Sequence, residues 1–265
     1  MQKYLVEKVP FKDGFIQFQV SGSGDPLVLL HGFLEDLSIW NKMINGLVSE
    51  YKIVTIDLPG HGKSSCFDDV HSMEDMAEAV KAVLDELQLE KIIIAGHSMG
   101  GYVALAFAEI YPEFIIGLAL INSTPYPDSE EKKLNRMRAV EAVEYNLKNF
   151  VSLSIPQLFA PENRTRLKDN IAALKDKAIL MKQEGITAAL KGMKDRPSRV
   201  QLIKNGSFPT LIVFGREDSV VDIERLKKLD SIDEVTVVEL EGGHMSYLEA
   251  LNDLSYYFMR FIENL

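Results

Sequence analysis

Lys91-Ile92-Ile93-Ile94-Ala95-Gly96-His97-Ser98-Met99-Gly100-Gly101 is the stretch from which the rest of the chain can be read. The apolar run 92–95 suits a parallel strand covered on both faces, and the Ala-rich text that follows, 99–111, suits a helix. Between them lies Gly-x-Ser-x-Gly, a strand-to-helix corner that lifts a serine hydroxyl out of the sheet. Gly96 and Gly100 carry no side chain to obstruct that corner. The helix points its unpaired N–H groups and positive dipole end at the same place, which favours negative charge developing there. Ser98 is therefore the candidate nucleophile.

Working outward, 4–9 and 15–20 read as a hairpin around Lys12-Asp13-Gly14, and 27–30, 52–56 and 116–121 as further buried strands. Helical patterns fall near 42–50 and 73–87. From 126 to 207 the strand signal gives way to Lys, Glu, Leu, Ala and Met at helical spacing, broken at Pro156, Pro161 and Pro197. Strands resume at 210–214 and 235–240, with helices near 223–229 and 251–262. The expected fold is α/β, a mostly parallel central sheet flanked by helices. Its core is 1–125 and 208–265, interrupted by a helical cap at 126–207.

Composition narrows the function. The 265 residues are 46% hydrophobic and 26% charged, as in a globular domain, and 39 acidic against 29 basic residues leave a charge of -10. That sign disfavours nucleic acid and anionic membranes as partners. Cys66 is the single cysteine, so neither a disulfide within the chain nor a cysteine metal cluster is expected. Residues 1–10 lack the apolar core of a signal peptide, and no 18-residue apolar run occurs, so a cytoplasmic, non-membrane location is expected. No H-E-x-x-H or comparable ligand spacing points to a metal. Asn122, Asn163 and Asn205 each open an N-x-[ST] pattern, read as coincidence in a protein that is not secreted.

With these residues in view, the chain resembles the α/β-hydrolase fold superfamily over nearly its full length. Leu29-Leu30-His31-Gly32-Phe33 is similar to the family's strand-end His-Gly turn, and Leu34 follows where many relatives carry Pro. The resemblance implies an oxyanion hole made by the Phe33 and Met99 N–H groups, both on the substrate-binding side. Asp57-Leu58-Pro59-Gly60-His61-Gly62-Lys63-Ser64 looks like the turn after the next strand, with His61 structural or at the pocket edge. It is not a phosphate loop, because Asp57 stands where that pattern requires Gly.

The resemblance also implies the order Ser, acid, His. Gly215-Arg216-Glu217-Asp218 ends a strand and matches the position of the family's acid, selecting Asp218, with Glu217 as the adjacent rival. Some relatives carry the acid after the strand that follows the nucleophile helix, and here Ile121-Asn122-Ser123-Thr124 holds no carboxylate, which supports Asp218. His244, behind Glu241-Gly242-Gly243, matches the late Gly-His loop; His31, His61, His71 and His97 sit elsewhere.

The expected activity is hydrolysis of a small acyl ester or thioester through an acyl-enzyme on Ser98, with no metal or organic cofactor. Two alternatives stay open: a C–C bond hydrolase or elimination enzyme using the same triad, and a non-catalytic ligand receptor or scaffold of the same fold. Serine rather than Asp at the corner excludes the alkyl-ester route of relatives that open epoxides or displace halide. Met137, Leu153, Ile155, Leu158, Phe159, Met181 and Met193 of the cap are apolar residues able to face the acyl site, with packing between helices the expected role for most and no single one assigned to the site. The cap holds 16 Lys or Arg against 10 Asp or Glu, while the remaining body holds 13 against 29. Solvated helix faces explain most such runs; the alternative is that Lys191, Lys194, Arg196 and Arg199 steer an anionic or carrier-linked acyl substrate.

Overall fold

Eight strands grow from the apolar runs in a computed structural model that describes residues 5–206 and 208–265. Tyr4 of the expected first strand, residues 1–4 of the expected leaderless N-terminus and Ser207 of the expected cap lie outside the described residues. Strands β1 (Leu5–Phe11) and β2 (Gly14–Ser21) pair antiparallel around Lys12-Asp13, with Lys12 at φ 49°. Then come β3 (Asp25–Leu30), β4 (Tyr51–Ile56), β5 (Ile92–His97), β6 (Ile115–Ile121), β7 (Thr210–Gly215) and β8 (Val235–Leu240). The sheet order is β1-β2-β4-β3-β5-β6-β7-β8, parallel from β4 to β8. Every residue of β5 and of β7 is buried, which is why both read as unbroken apolar runs rather than alternating ones.

Helices α1 (Asn41–Ile44), α2 (Met73–Glu86) and α3 (Met99–Ile110) lie in the first half of the chain. In α2 the Ser72 hydroxyl accepts the Asp75 N–H at the N-terminus, and Met73, Met76, Ala77, Val80, Val83 and Leu84 bury one stripe. The helix expected near 42–50 is only α1: Asn45-Gly46 ends it, and Leu47 and Val48 turn back onto the Ile44 carbonyl.

Between β6 and β7 the chain leaves the sheet for α4 (Glu130–Gln157), α5 (Asn163–Arg166), α6 (Lys168–Ala178), α7 (Gln183–Asp195) and α8 (Val200–Lys204). The backbone of α4 breaks at Asn146 (φ -163°, ψ 91°), whose side chain accepts the Asn149 N–H and so caps the second half. Helices α9 (Ile223–Lys227), α10 (Ser246–Glu249) and α11 (Leu251–Ile262) complete the fold. No helix among the described residues is long and apolar enough to cross a membrane. The parallel strands bring their carboxyl ends to one edge of the sheet, so the loops after β3, β5, β6, β7 and β8 converge there.

Candidate active site

Ser98 occupies the corner between β5 and α3 with φ 50° and ψ -113°, a conformation L residues rarely adopt. The corner is held because Ser98 N–H donates to Ile121 O (2.9 Å) and the Ser123 hydroxyl donates to Ser98 O (2.7 Å). A Cβ on Gly96 would lie 2.2 Å from the Gly100 carbonyl carbon, so glycine here is a steric requirement.

The Ser98 hydroxyl donates to His244 Nε2 at 2.8 Å, and His244 Nδ1–H donates to the Asp218 carboxylate at 2.8 and 3.0 Å. Asp218 also accepts from Val220 N–H (2.8 Å) and from Asn122 Nδ2 (2.9 Å), while Asn122 Nδ2 reaches Gly243 O at 3.2 Å. Burial would raise the Asp218 carboxyl, but His244 and these donors hold it below the usual carboxylate range. Glu217 is exposed beside Glu162, whose carboxylate pushes the Glu217 carboxyl up, and it makes no hydrogen bond with His244.

The loop after β3 supplies the facing wall. His31 Nδ1–H donates to Gly32 O (2.8 Å) and His31 Nε2 accepts Leu58 N–H (2.9 Å), which pins the loop to the end of β4. Leu34 sits at φ 62°. Proline, locked near -65°, cannot adopt that angle, so the loop takes a course closed to relatives with Pro at this position. Phe33 N–H donates to no protein acceptor among the described residues, and Met99, as the first residue of α3, has no intrahelical acceptor for its own N–H.

Behind the triad lies a buried network that the sequence reading passed over. Glu35 Oε2 accepts Gly32 N–H (2.6 Å) and His97 Nδ1–H (2.9 Å), and Glu35 Oε1 accepts the Tyr247 hydroxyl (2.7 Å). The other ring nitrogen of His97 faces His244 O at 2.9 Å, so an acceptor stands at each ring nitrogen, an arrangement that favours the doubly protonated ring. Burial would raise the Glu35 carboxyl and lower His97, but their mutual attraction reverses both directions. Glu35 thus contributes stability above the ordinary carboxylate pKa that is lost as pH falls. His97 contributes stability fully present below its ordinary pKa that is lost as pH rises through the raised value. Glu35→Gln should cost about 3–5 kcal/mol. In urea unfolding the deficit should be largest between about pH 4.5 and 6.5; a pH-independent deficit would refute the ion pair.

A model of the family described as alpha/beta hydrolase fold matches residues 25–251. The chain belongs to that family. Among curated relatives, it is 31% identical over 253 residues to a dihydrolipoyllysine-residue acetyltransferase component of an acetoin cleaving system from Pseudomonas putida. That match covers 92% of this chain but only 65% of the other protein's length. It is also 31% identical over 227 residues to a 2-hydroxy-6-oxononadienedioate/2-hydroxy-6-oxononatrienedioate hydrolase from Pseudomonas putida, covering 79% and 77% of the two chains. Among solved structures, a malate-bound thermophilic esterase from Thermogutta terrifontis superposes with TM-score 0.90 at 29% identity, covering 99% and 98%. The enol-lactonase from Burkholderia xenovorans LB400 also gives 0.90, at 21% identity and 97% and 100% coverage, a likeness of fold.

In this α/β hydrolase a cavity of about 160 Å³ opens on Ser98 and His244. Phe33, Leu34 and Tyr102 line it from the body, and Arg136, Leu158 and Met193 from the helical insertion. Of the expected cap candidates, only Leu158 and Met193 reach it. Leu153 is exposed, Ile155 and Phe159 are buried, and Met181 borders different surface clefts. The set of four candidate steering cations divides. Arg199 is 3% exposed and donates to Glu74 of α2 and Glu109 of α3. Arg196 is buried against Asp128 and the Tyr102 ring, and neither is a solvated surface charge. His61 is packed against Phe33 and His31, and burial lowers its pKa to about 3. The Asp57 carboxylate accepts Lys63 N–H (2.9 Å) and would collide with any side chain at Gly62, filling the place where a phosphate loop would be open.

Proposed function

We propose that this chain is a serine hydrolase that cleaves a small acyl ester or thioester. The observation that carries the reading is the continuous relay from the Ser98 hydroxyl through His244 to Asp218 beside two unengaged N–H groups. Ser98 Oγ attacks the carbonyl carbon while His244 Nε2 takes its proton, and Asp218 holds the imidazole tautomer and balances the imidazolium. Phe33 and Met99 N–H groups face the oxyanion that forms. His244 returns the proton to the leaving oxygen or sulfur, then draws a proton from water, which releases the acid from Ser98. No step requires a metal or organic cofactor. The helical insertion, residues 126–207, serves as a cap, with Leu158 and Met193 bounding the acyl side.

A cavity of about 160 Å³ supports a short acyl chain, since a dry site of about 150 Å³ holds benzene. A second reading, C–C bond hydrolysis, draws on the 31% identity to the Pseudomonas putida hydrolase. The test is labelling with a fluorophosphonate, followed by turnover of short-chain esters, thioesters and a ring-fission dienol diketo acid. A labelled Ser98 with ester or thioester turnover is the expected result. Turnover of the diketo acid alone would select the second reading, and an unlabelled protein would be a receptor or scaffold of the same fold.

A further inference from the structure

Among the polar side chains that line the catalytic cavity outside the triad, Glu35, His97 and Ser154 are engaged with protein partners, and one charged side chain is left that the proposed chemistry does not use. Arg136, on α4, is the single Lys or Arg among the described residues lining it. Its Nε donates to Asp128 Oδ2, and its two terminal nitrogens have no protein acceptor among the described residues. Asp128 cannot neutralise the site, because its other oxygen holds Arg196 NH1 at 2.8 Å. Arg196 is itself consumed by structure: it donates to Met193 O (2.8 Å) and Tyr126 O (3.1 Å) and stacks on Tyr102 at 3.8 Å. The one carboxylate in the cavity wall, Glu35, is committed to His97, Gly32 and Tyr247. One positive charge therefore remains uncompensated in the lining of the cavity that opens on Ser98, with a forked pair of donors suited to a carboxylate.

We propose that Arg136 anchors a carboxylate on the acyl half of the substrate, so that the enzyme acts on half-esters or half-thioesters of short dicarboxylic acids. This rests on the serine-hydrolase reading and names its substrate class. The acyl half is the one that stays on Ser98 after the leaving group departs, and a cavity of about 160 Å³ matches a short chain of that half. With the carbonyl at Ser98, about six heavy atoms fill the space, an acyl chain of about three or four carbons ending at the arginine. The reaction balances as hydrolysis. The Ser98 Oγ–acyl bond forms as the ester C–O bond breaks, and the alcohol leaves with the proton from His244. Water then releases the dicarboxylate and one proton.

The experiment compares monomethyl succinate with methyl butyrate, whose acyl chains are equal in carbon number, by proton release in a pH-stat. Wild type should prefer monomethyl succinate by about tenfold or more in kcat/KM. Arg136→Met should bring the ratio to about one or below. Lys191→Gln and Lys194→Gln, outside the cavity lining, should keep the wild-type ratio, which separates pocket recognition from steering by surface charge. Calorimetry on the wild-type protein gives an arm independent of turnover and of the variant's folding: succinate should bind about tenfold or more tighter than butyrate. Cleavage of methyl butyrate at equal or higher efficiency, or a preference that survives Arg136→Met, overturns the anchor and leaves the hydrolase reading standing. If neither ester is cleaved while succinate still binds selectively, the ester-hydrolase reading fails and the anchor stands; equal binding of succinate and butyrate overturns the anchor.

Discussion

Ser98→Ala should lower turnover of any ester or thioester by about 10⁴-fold or more while leaving the fold in place. The hydroxyl is the only group lost, and the backbone bonds that fix the corner, Ser98 N–H to Ile121 O and Ser123 Oγ–H to Ser98 O, do not involve it. Residual activity from the two N–H groups and from positioning should remain measurable above the uncatalysed rate. Steady-state rates at saturating substrate, with circular dichroism and a thermal melt, check both halves. A folded Ser98→Ala variant with near wild-type turnover would remove Ser98 from the chemistry.

Asp218→Asn should cost a comparable amount, about 10⁴-fold in kcat. Its carboxylate receives only donors: His244 Nδ1–H, Asn122 Nδ2 and the Val220 and Val221 amides. An Asn side chain has one oxygen to offer, so its NH₂ must face at least one of those donors. If it faces His244, the ring takes the tautomer with the proton on Nε2, and Nε2 can no longer accept from Ser98. Glu217→Gln, at a solvent-facing position, should stay within about threefold of wild type. A reversal of the two effects would move the acid to Glu217.

What could be read in advance follows from how local each feature is. The parallel sheet and the helical insertion were legible because buried strands need continuous apolar runs and the insertion has helical spacing; the family match and the sheet topology bear out that fold. The helix near 42–50 was overread, since apolar spacing persists past Asn45-Gly46 while the backbone turns. Ser98, Asp218 and His244 stood out because each occupies a loop of recognisable pattern, and the structure brings the three within hydrogen-bond distance. Asn122 was set aside as a chance N-x-[ST] match, yet its amide supports Asp218 across 96 residues of sequence. Its position after β6 was the available signal. Glu35 and Arg136 were missed for a different reason. A carboxylate three residues after a glycine, or an arginine in a charged helix, looks like ordinary surface until the fold puts His97 or an apolar cavity beside it.

Two of the bonds that join the insertion to the base leave little trace in sequence. His244 N–H donates to the carbonyl of Leu158 at 2.8 Å, just past the end of α4, and Ala160 N–H donates to Glu249 Oε2 at 2.9 Å. Both groups from the insertion are main-chain, so almost any side chain at 158, and any but proline at 160, can preserve them. Positions 158 and 160 can thus vary in side chain while the imidazole stays in register, whereas Asn163 and Arg199 tie the insertion to the body through side chains. A foreign insertion transplanted onto this body would therefore have to present a backbone carbonyl to His244 and partners for Glu74, Glu109 and Glu249 to keep the imidazole where it stands.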